Sequence, residues 1–272
     1  VMTDLEGGTN SFHTVYDLEL SSDGMKLILV TRNNGDDADQ DNAYVYDLSS
    51  PYDISSCSQS SKTTNLDSST YTDGSRAGTT SAARGNHRLQ GIEINNDGTK
   101  LFLLFYDVGT SNTRLYEYTL STPYDLTTIS LNTNAGIELT FAGNIDNAAG
   151  MRFSPNGKRL FVVTHDLLNE RALIQISLSN PFDTSSFVID GALAFSTFPT
   201  THDQPRGIAF NSNGLKMYIT DDRQTSTKDR IKEHDLKCPY NIFESKCPSI
   251  TENNDRHGLA LAQIDIAKRT ID

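Results

Sequence analysis

Four times in this chain an Asp-Gly or Asn-Gly pair is followed by a proline that opens an aromatic-Asp or aromatic-Asn pair. The glycine pairs are Asp23-Gly24, Asp97-Gly98, Asn156-Gly157 and Asn213-Gly214. The prolines Pro51, Pro123, Pro181 and Pro239 each follow about 25 residues after their glycine, and lead into Tyr52, Tyr124, Phe182 and Tyr240. A period this regular dictates a repeat architecture before any other inference is made. Asp-Gly and Asn-Gly supply the positive φ angles of a tight hairpin. Proline fixes φ and cannot donate to a ladder, so it marks a second turn between strands.

The strands follow from the alternation around these marks. Before each hairpin stand apolar pairs spaced by two, Leu18/Leu20, Ile92/Ile94, Met151/Phe153 and Ile208/Phe210, the pattern of a strand with one buried face. After it Lys26, Lys100, Arg159 or Lys216 leads into a continuous apolar run, which suits a central strand packed on both faces. A third strand ends at Leu48, Leu120, Leu178 and Leu236. Two residues earlier stand Tyr46, Tyr118 and Ile176, but His234 in the fourth copy. A more variable fourth strand is expected after each proline, for example over 137–141 or 192–195. Three of the first strands are preceded by a glycine, Gly91, Gly150 or Gly207, where backbones could crowd toward a central axis; the first copy has Asp17 there.

Four antiparallel strands repeated in this way describe the blade of a β-propeller, with a twisted solenoid of sheets as the alternative. The expected fold class is therefore all-β: a β-propeller of four visible four-stranded repeats, closed as a small ring or part of a larger one. The repeats span about 12–84, 85–144, 145–201 and 202–250 of an array over 1–254. Residues 1–5 fall where the outer strand of a preceding repeat would lie, which fits closure against the last blade and equally a truncated array. Closure is favoured, because an open propeller exposes an apolar blade face. Residues 255–272 read as a short C-terminal helix or connector, with Asp255 as a cap.

The stretch GIEINNDGTKLFLLF followed by LYEYTLSTPYDLTTISL resembles the DGTKMYV and YTLSTPWD propeller repeats of marine bacterial and phage surface proteins, over most of residues 12–250. That resemblance implies extracellular display or adhesion, often within large multidomain proteins. Tyr124 stands where those repeats commonly carry tryptophan, and the chain has none. The C-terminal run is similar to the connector that follows the passenger of autotransporter-like proteins. Fold does not imply activity, so the ligand stays open.

Composition narrows the partners. A net charge of -12 disfavours nucleic acid, since phosphate contacts need clustered Lys and Arg. No stretch approaches a membrane span. The three cysteines are Cys57, Cys238 and Cys247; the last two flank an expected turn and are expected to form a disulfide in an oxidising compartment, leaving Cys57 buried or paired with another molecule.

Candidate chemistry sits in the segments that set the copies apart. Asp37, Asp39 and Asp41 alternate in a polar loop and supply the hard oxygens that calcium prefers, so Ca2+ is the one cofactor expected. A solvated acidic loop is the alternative. Asp221 and Asp222 occupy the corresponding loop of the fourth copy, with Asp107 and Asp166 in the others. Binding loops are expected at 33–42, with Asn33, Asn34 and Asp36, and at 55–84, a Ser/Thr-rich insert with Tyr71, Asp73, Arg76 and Arg84. No catalytic set stands out: the six histidines are scattered, and Glu93 and Glu117 are expected to face outward. The basic residues after each hairpin read as charges guarding an apolar strand.

The expected function is a non-enzymatic extracellular, cell-surface or virion-surface module. It binds a protein or glycan, or other copies of itself, through inter-strand loops. The alternatives are a propeller-type hydrolase, a lactonase or glycosidase, and a phage tail or decoration protein. A central cluster of carboxylates would favour the hydrolase.

Overall fold

The computed structural model describes residues 13–33, 42–63, 87–107, 112–132, 137–139, 145–167, 170–198, 202, 204–222, 229–243 and 247. Residues 1–242 form one compact unit, which holds every described strand; residues 243–272 form a second. The expected C-terminal helix and the closing segment 1–5 lie outside the described residues.

The chain folds as a β-propeller of four blades, each an antiparallel meander. Blade 1 is β1 (His13–Leu20), β2 (Lys26–Asn33), β3 (Asn42–Leu48) and β4 (Cys57–Thr63). Blade 2 is β5 (His87–Ile94), β6 (Lys100–Asp107), β7 (Asn112–Leu120) and β8 (Ile129–Leu131), with β9 (Ile137–Glu138) also on β7. Blade 3 is β10 (Ile145–Phe153), β11 (Arg159–Leu167), β12 (Glu170–Leu178) and β13 (Phe187–Ala194). Blade 4 is β14 (Pro205–Phe210), β15 (Lys216–Asp221) and β16 (Arg230–Asp235), with no fourth strand among the described residues.

The fourth strands differ from expectation. Residues 57–63, inside the presumed recognition insert, pair with β3 as β4, because polar Ser and Gln suit an outer strand with a wet face. In blade 3 the strand occupies 187–194, and Phe195 opens a 3₁₀ turn, Phe195–Thr197.

The two sequence marks of each repeat are one physical unit. The N–H of Tyr52, Tyr124, Phe182 and Tyr240 donates to the carbonyl of Gly24, Gly98, Gly157 and Gly214, at 2.8, 2.9, 2.9 and 2.8 Å. Each aromatic residue sits in the left-handed region, with φ between 51 and 60°, a conformation that costs about 1–2 kcal/mol for an L-residue. What offsets that cost is the ring, which lies flat over the hairpin glycine. A Cβ on Gly98, at φ +74°, would drive into the Tyr124 ring. The constant spacing therefore measures the chain needed to return the aromatic turn to its own hairpin. The next Asp then caps a 3₁₀ turn, accepting from Ser55, Thr127 and Ser185 N–H groups in blades 1 to 3. The fourth copy has Asn241 instead.

Apolar burial is between blades. Ile28, Val30, Ala43 and Val45 of blade 1 meet Leu101, Leu103 and Phe105 of blade 2. Phe102 and Leu104 of blade 2 meet Leu160, Val162 and Ile174 of blade 3. Phe161 of blade 3 packs on Phe210 of blade 4, with ring centroids 4.6 Å apart. The face of blade 1 away from blade 2 forms a separate buried cluster of Leu27, Leu29, Tyr44, Tyr46 and Leu48. The far face of blade 4 is different: Ala209 and Thr220 are exposed, and Ile231 is 73% exposed. Inner strands pack in series, β1 on β5, β5 on β10 and β10 on β14, and no comparable packing joins β14 to β1 among the described residues.

Polar links repeat at these junctions and correct two sequence expectations. Lys100 Nζ donates to Glu117 Oε1 at 2.7 Å and to the Phe182 carbonyl of the next blade at 2.8 Å. Arg159 Nη1 likewise reaches the Pro239 and Tyr240 carbonyls. Glu117 Oε2 accepts from the Thr184 N–H and hydroxyl, and Gln175 Oε1 accepts from the Ile242 N–H at 2.9 Å. Two of the four basic residues thus bind the next blade rather than only guarding their own strand. Glu117 is buried rather than outward, because the following blade brings donors to it. Lys26 and Lys216 stay within their own blades, paired with Asp47 and with Glu233 and Asp235.

Candidate axial site

The inner strands carry a bulge at equivalent positions, Val15/Asp17, Leu89/Gly91 and Ala148/Gly150, with a register shift between Pro205 and Ile208 in β14. A bulge bends its strand and re-aims the side chains beside it. Close approach explains the glycine at this level in blade 3: a Cβ on Gly150 would lie 2.5 Å from the Arg206 carbonyl oxygen of blade 4. In blade 1 Asp17 takes the glycine's place. Its carboxylate turns toward blade 2, Oδ2 accepting from the Ile92 N–H at 3.0 Å and Oδ1 from the Leu18 N–H at 2.9 Å.

An open axial cleft of about 680 Å³ is lined by β1, β10 and β14, with Glu93 of β5 and Thr220 of β15. Glu19 of blade 1, Glu93 of blade 2 and Arg152 of blade 3 meet there. Arg152 Nη1 donates to both Glu19 and Glu93, the latter at 3.1 Å, and the Phe153 N–H donates to the second Glu93 oxygen at 3.2 Å. Glu93 therefore faces the axis and not solvent, as the alternation alone suggested. The bulge before Gly91 and the ring of blades decide which side of β5 is inside, and neither is visible in the local pattern.

Burial pushes Glu93 well above the ordinary carboxylate range, with Glu19 beside it adding to the shift and Arg152 opposing it. Burial also raises Glu19, against the pull of Arg152. Asp17 is pushed up to about 6 by burial, although the Ile92 and Leu18 N–H groups and Arg152 pull the other way. Burial works against the charge on Arg152, but Glu93 and Glu19 outweigh it and hold the guanidinium protonated. Three carboxyl groups thus share one nearby cation, and the group retains protons that exposed carboxylates would release.

Glu19, Glu93 and Arg152 also line a second cavity of about 240 Å³ at the hairpin end of the axis. Its walls include the rings of Tyr124, Phe182 and Tyr240 from three successive blades, with Asn96, Ser22 and Ser212 beside them.

Most loop residues singled out by the sequence lie outside the described residues: Asn34, Asp36, Asp37, Asp39, Asp41, Tyr71, Asp73, Arg76 and Arg84. Of Asn33 only the backbone, at the end of β2, is described. Asp221, expected in the loop of the fourth copy, falls inside a strand. It ends β15, is buried, and pairs with Lys232 Nζ at 2.9 Å, because an acid at a buried strand end needs a partner. No group of three or more metal-ligating side chains occurs among the described residues. Cys238 and Cys247 are disulfide-bonded, and Cys57 is a half-buried free thiol. No described helix is long and apolar enough to cross a membrane.

No protein-family profile matches the chain, and no curated protein matches it. Among solved structures it is similar to a putative 6-phosphogluconolactonase from Bacteroides uniformis, with 13% identity, 81% of this chain and 67% of that one covered, and a TM-score of 0.46. An endo-arabinase from Bacteroides thetaiotaomicron matches with 15% identity over 87% of this chain and 78% of that one, at 0.44. TolB from Acinetobacter baumannii matches with 13% identity over 82% of this chain, also at 0.44. The chain spans 41% of the length of TolB and 49% of the matched Kuenenia stuttgartiensis hydrazine synthase chain. A fold does not fix an activity, so activity must be argued from the site.

Proposed function

We propose that the chain is a non-enzymatic binding module of an extracellular or cell surface, and that its axial mouth takes a sugar ring of a glycan. The observation that carries this is the make-up of the mouth, where aromatic rings from blades 2, 3 and 4 line one small cavity with amide, hydroxyl and carboxyl groups. A pyranose offers C–H faces to such rings and hydroxyls to such polar groups, and placed polar groups give orientation. The Cys238–Cys247 disulfide and the repeat resemblance support an oxidising, surface setting. The loop at 33–42 and the part of the 55–84 insert beyond β4 are read as a second contact region, with calcium at Asp37, Asp39 and Asp41 bracing it. Chelation then lowers the melting temperature, and an unchanged value removes the ion.

A propeller hydrolase is the second reading, favoured by Glu19 and Glu93 in the axial cavity. Glycoside hydrolysis needs one carboxyl to protonate the leaving group and another to attack or to activate water. Here both Glu93 oxygens accept from Arg152 and the Phe153 N–H, and both Asp17 oxygens accept from backbone, which braces the axis instead of arming it. Calorimetric titration with an oligosaccharide panel, run beside assays on aryl glycosides and lactones, separates the two. Saturable binding without product, weakened about tenfold or more by Asn96→Ala, is expected. Turnover that Glu93→Gln abolishes would establish the hydrolase, and silence across the panel would remove the glycan.

A further inference from the structure

His234 is the residue that breaks the repeat pattern of the third strands, standing where blades 1 to 3 carry Tyr46, Tyr118 and Ile176. The reason for the exception lies across from it. The segment leading from blade 3 into blade 4 brings His202 to β16, with His202 Nε2 and His234 Nε2 3.1 Å apart and both side chains buried. The ring centroids are 5.2 Å apart, so the two imidazoles meet nearly tip to tip. That separation is the length of an N–H···N hydrogen bond, and no third metal-ligating side chain groups with the pair among the described residues. One Nε2 donates and the other accepts.

The pair is enclosed by rings of the same linking segment. Phe195 lies 4.7 Å from His202 and Phe198 lies 4.9 Å from His234, centroid to centroid. Two charged groups among the described residues act on it. Asp221 at the end of β15 interacts with His202, and Lys232 on β16 interacts with His234. Those two also pair with each other, and the Gln204 N–H fixes the Asp221 carboxylate at 2.8 Å. A first added proton is accommodated beside Asp221. A second has to enter a buried contact between two cations with Lys232 behind it.

We propose that His202 and His234 form an acid-released latch, in which one shared proton holds the blade 3 to blade 4 link against β16 and further protonation lets the link go. The direction agrees with the surroundings of His234, whose pKa is lowered by burial and by Lys232. Such a group opposes folding as acid is added: the closed contact is intact above the ordinary histidine value and weakens as pH falls below it. The link to blade 4 then opens while blades 1 to 3 keep their packing. Acid would thereby loosen one wall of the axial cavity, since Arg206, Gly207 and Ile208 of β14 line it.

Hydrogen exchange read by mass spectrometry on the intact, disulfide-bonded chain tests this, with rates corrected for intrinsic exchange. In peptides over 195–204 and 230–235, opening should rise by about tenfold per pH unit below about 6.5, while β6 stays protected. His234→Tyr, the residue of the first two blades, should flatten that rise, and so should His202→Gln, which can still donate but does not titrate. Should His234→Tyr fail to fold, His202→Gln decides alone. An unchanged rise in the folded variants, or no rise in the wild-type chain, overturns the latch.

Discussion

Blades 2 and 4 carry the same hairpin, the same aromatic turn and the same basic residue, yet they are held differently. In blade 2 the central strand is buried on both faces, Leu101 and Leu103 on one side and Phe102 and Leu104 on the other. In blade 4 Met217 and Ile219 are buried, while Thr220 on the opposite face is exposed. The Lys100–Glu117 pair binds the next blade through the Phe182 carbonyl and Thr184. Its counterpart, Lys216–Glu233, has no such contact among the described residues. A blade's own sequence therefore builds its meander, but its stability is set by the neighbours on each side.

The largest contrast is expected from the central strands. Phe102→Ala should cost about 3–5 kcal/mol, as a buried ring leaves a cavity between two blades. Tyr218→Ala, on the open side of β15, should cost no more than about 1 kcal/mol. Equal costs in chemical denaturation would show that the face of blade 4 is covered in solution. Next in size is the polar junction. Glu117→Ala strands the donors of Thr184 and Asn132 and should cost roughly 2–3 kcal/mol. Glu233→Ala should leave the melting temperature unchanged, and a clear drop would reveal a partner at that edge.

The hairpin glycines give a smaller test of whether the blades share one local device. Gly98→Ala and Gly214→Ala should both destabilise, each by about 1–3 kcal/mol, because both positions combine positive φ with a ring where Cβ would go. Blade 4 resembles blade 2 here, and a neutral Gly214→Ala would break that likeness. The last contrast is one of pH. Asp17 titrates near 6 in the folded chain because burial raises it, so the folded state holds a proton that the unfolded chain has released. Stability from this group is full at low pH and is lost as pH rises toward 6. Asp17→Asn should remove that slope, with a gain at neutral pH; a slope that persists in melting curves would place its origin elsewhere.

The strand-turn-strand unit was legible because hairpin glycines and turn prolines act locally, over distances that the chain itself spans. Leu27, Leu101, Leu160 and Met217 could be placed in central strands for the same reason. The axial group was not legible. Glu19 and Glu93 stand two residues after their bulges in an ordinary alternation, and nothing local says that this face meets Arg152 of another blade. The one visible signal was the exception at the glycine level, where Asp17 replaces a residue needed for close approach. His234 was likewise noted as a mismatch whose partner, His202, is remote in the chain.

The amino-acid sequence by itself determined the repeat, the positions of the turns and the class of fold, since these depend on φ preferences and on period-two burial. Only the tertiary structure decided which carboxylates turn inward, which basic residues reach the next blade, and why one blade keeps a histidine. Those outcomes depend on desolvation and on partners brought from other repeats, and both exist only once the blades are packed side by side.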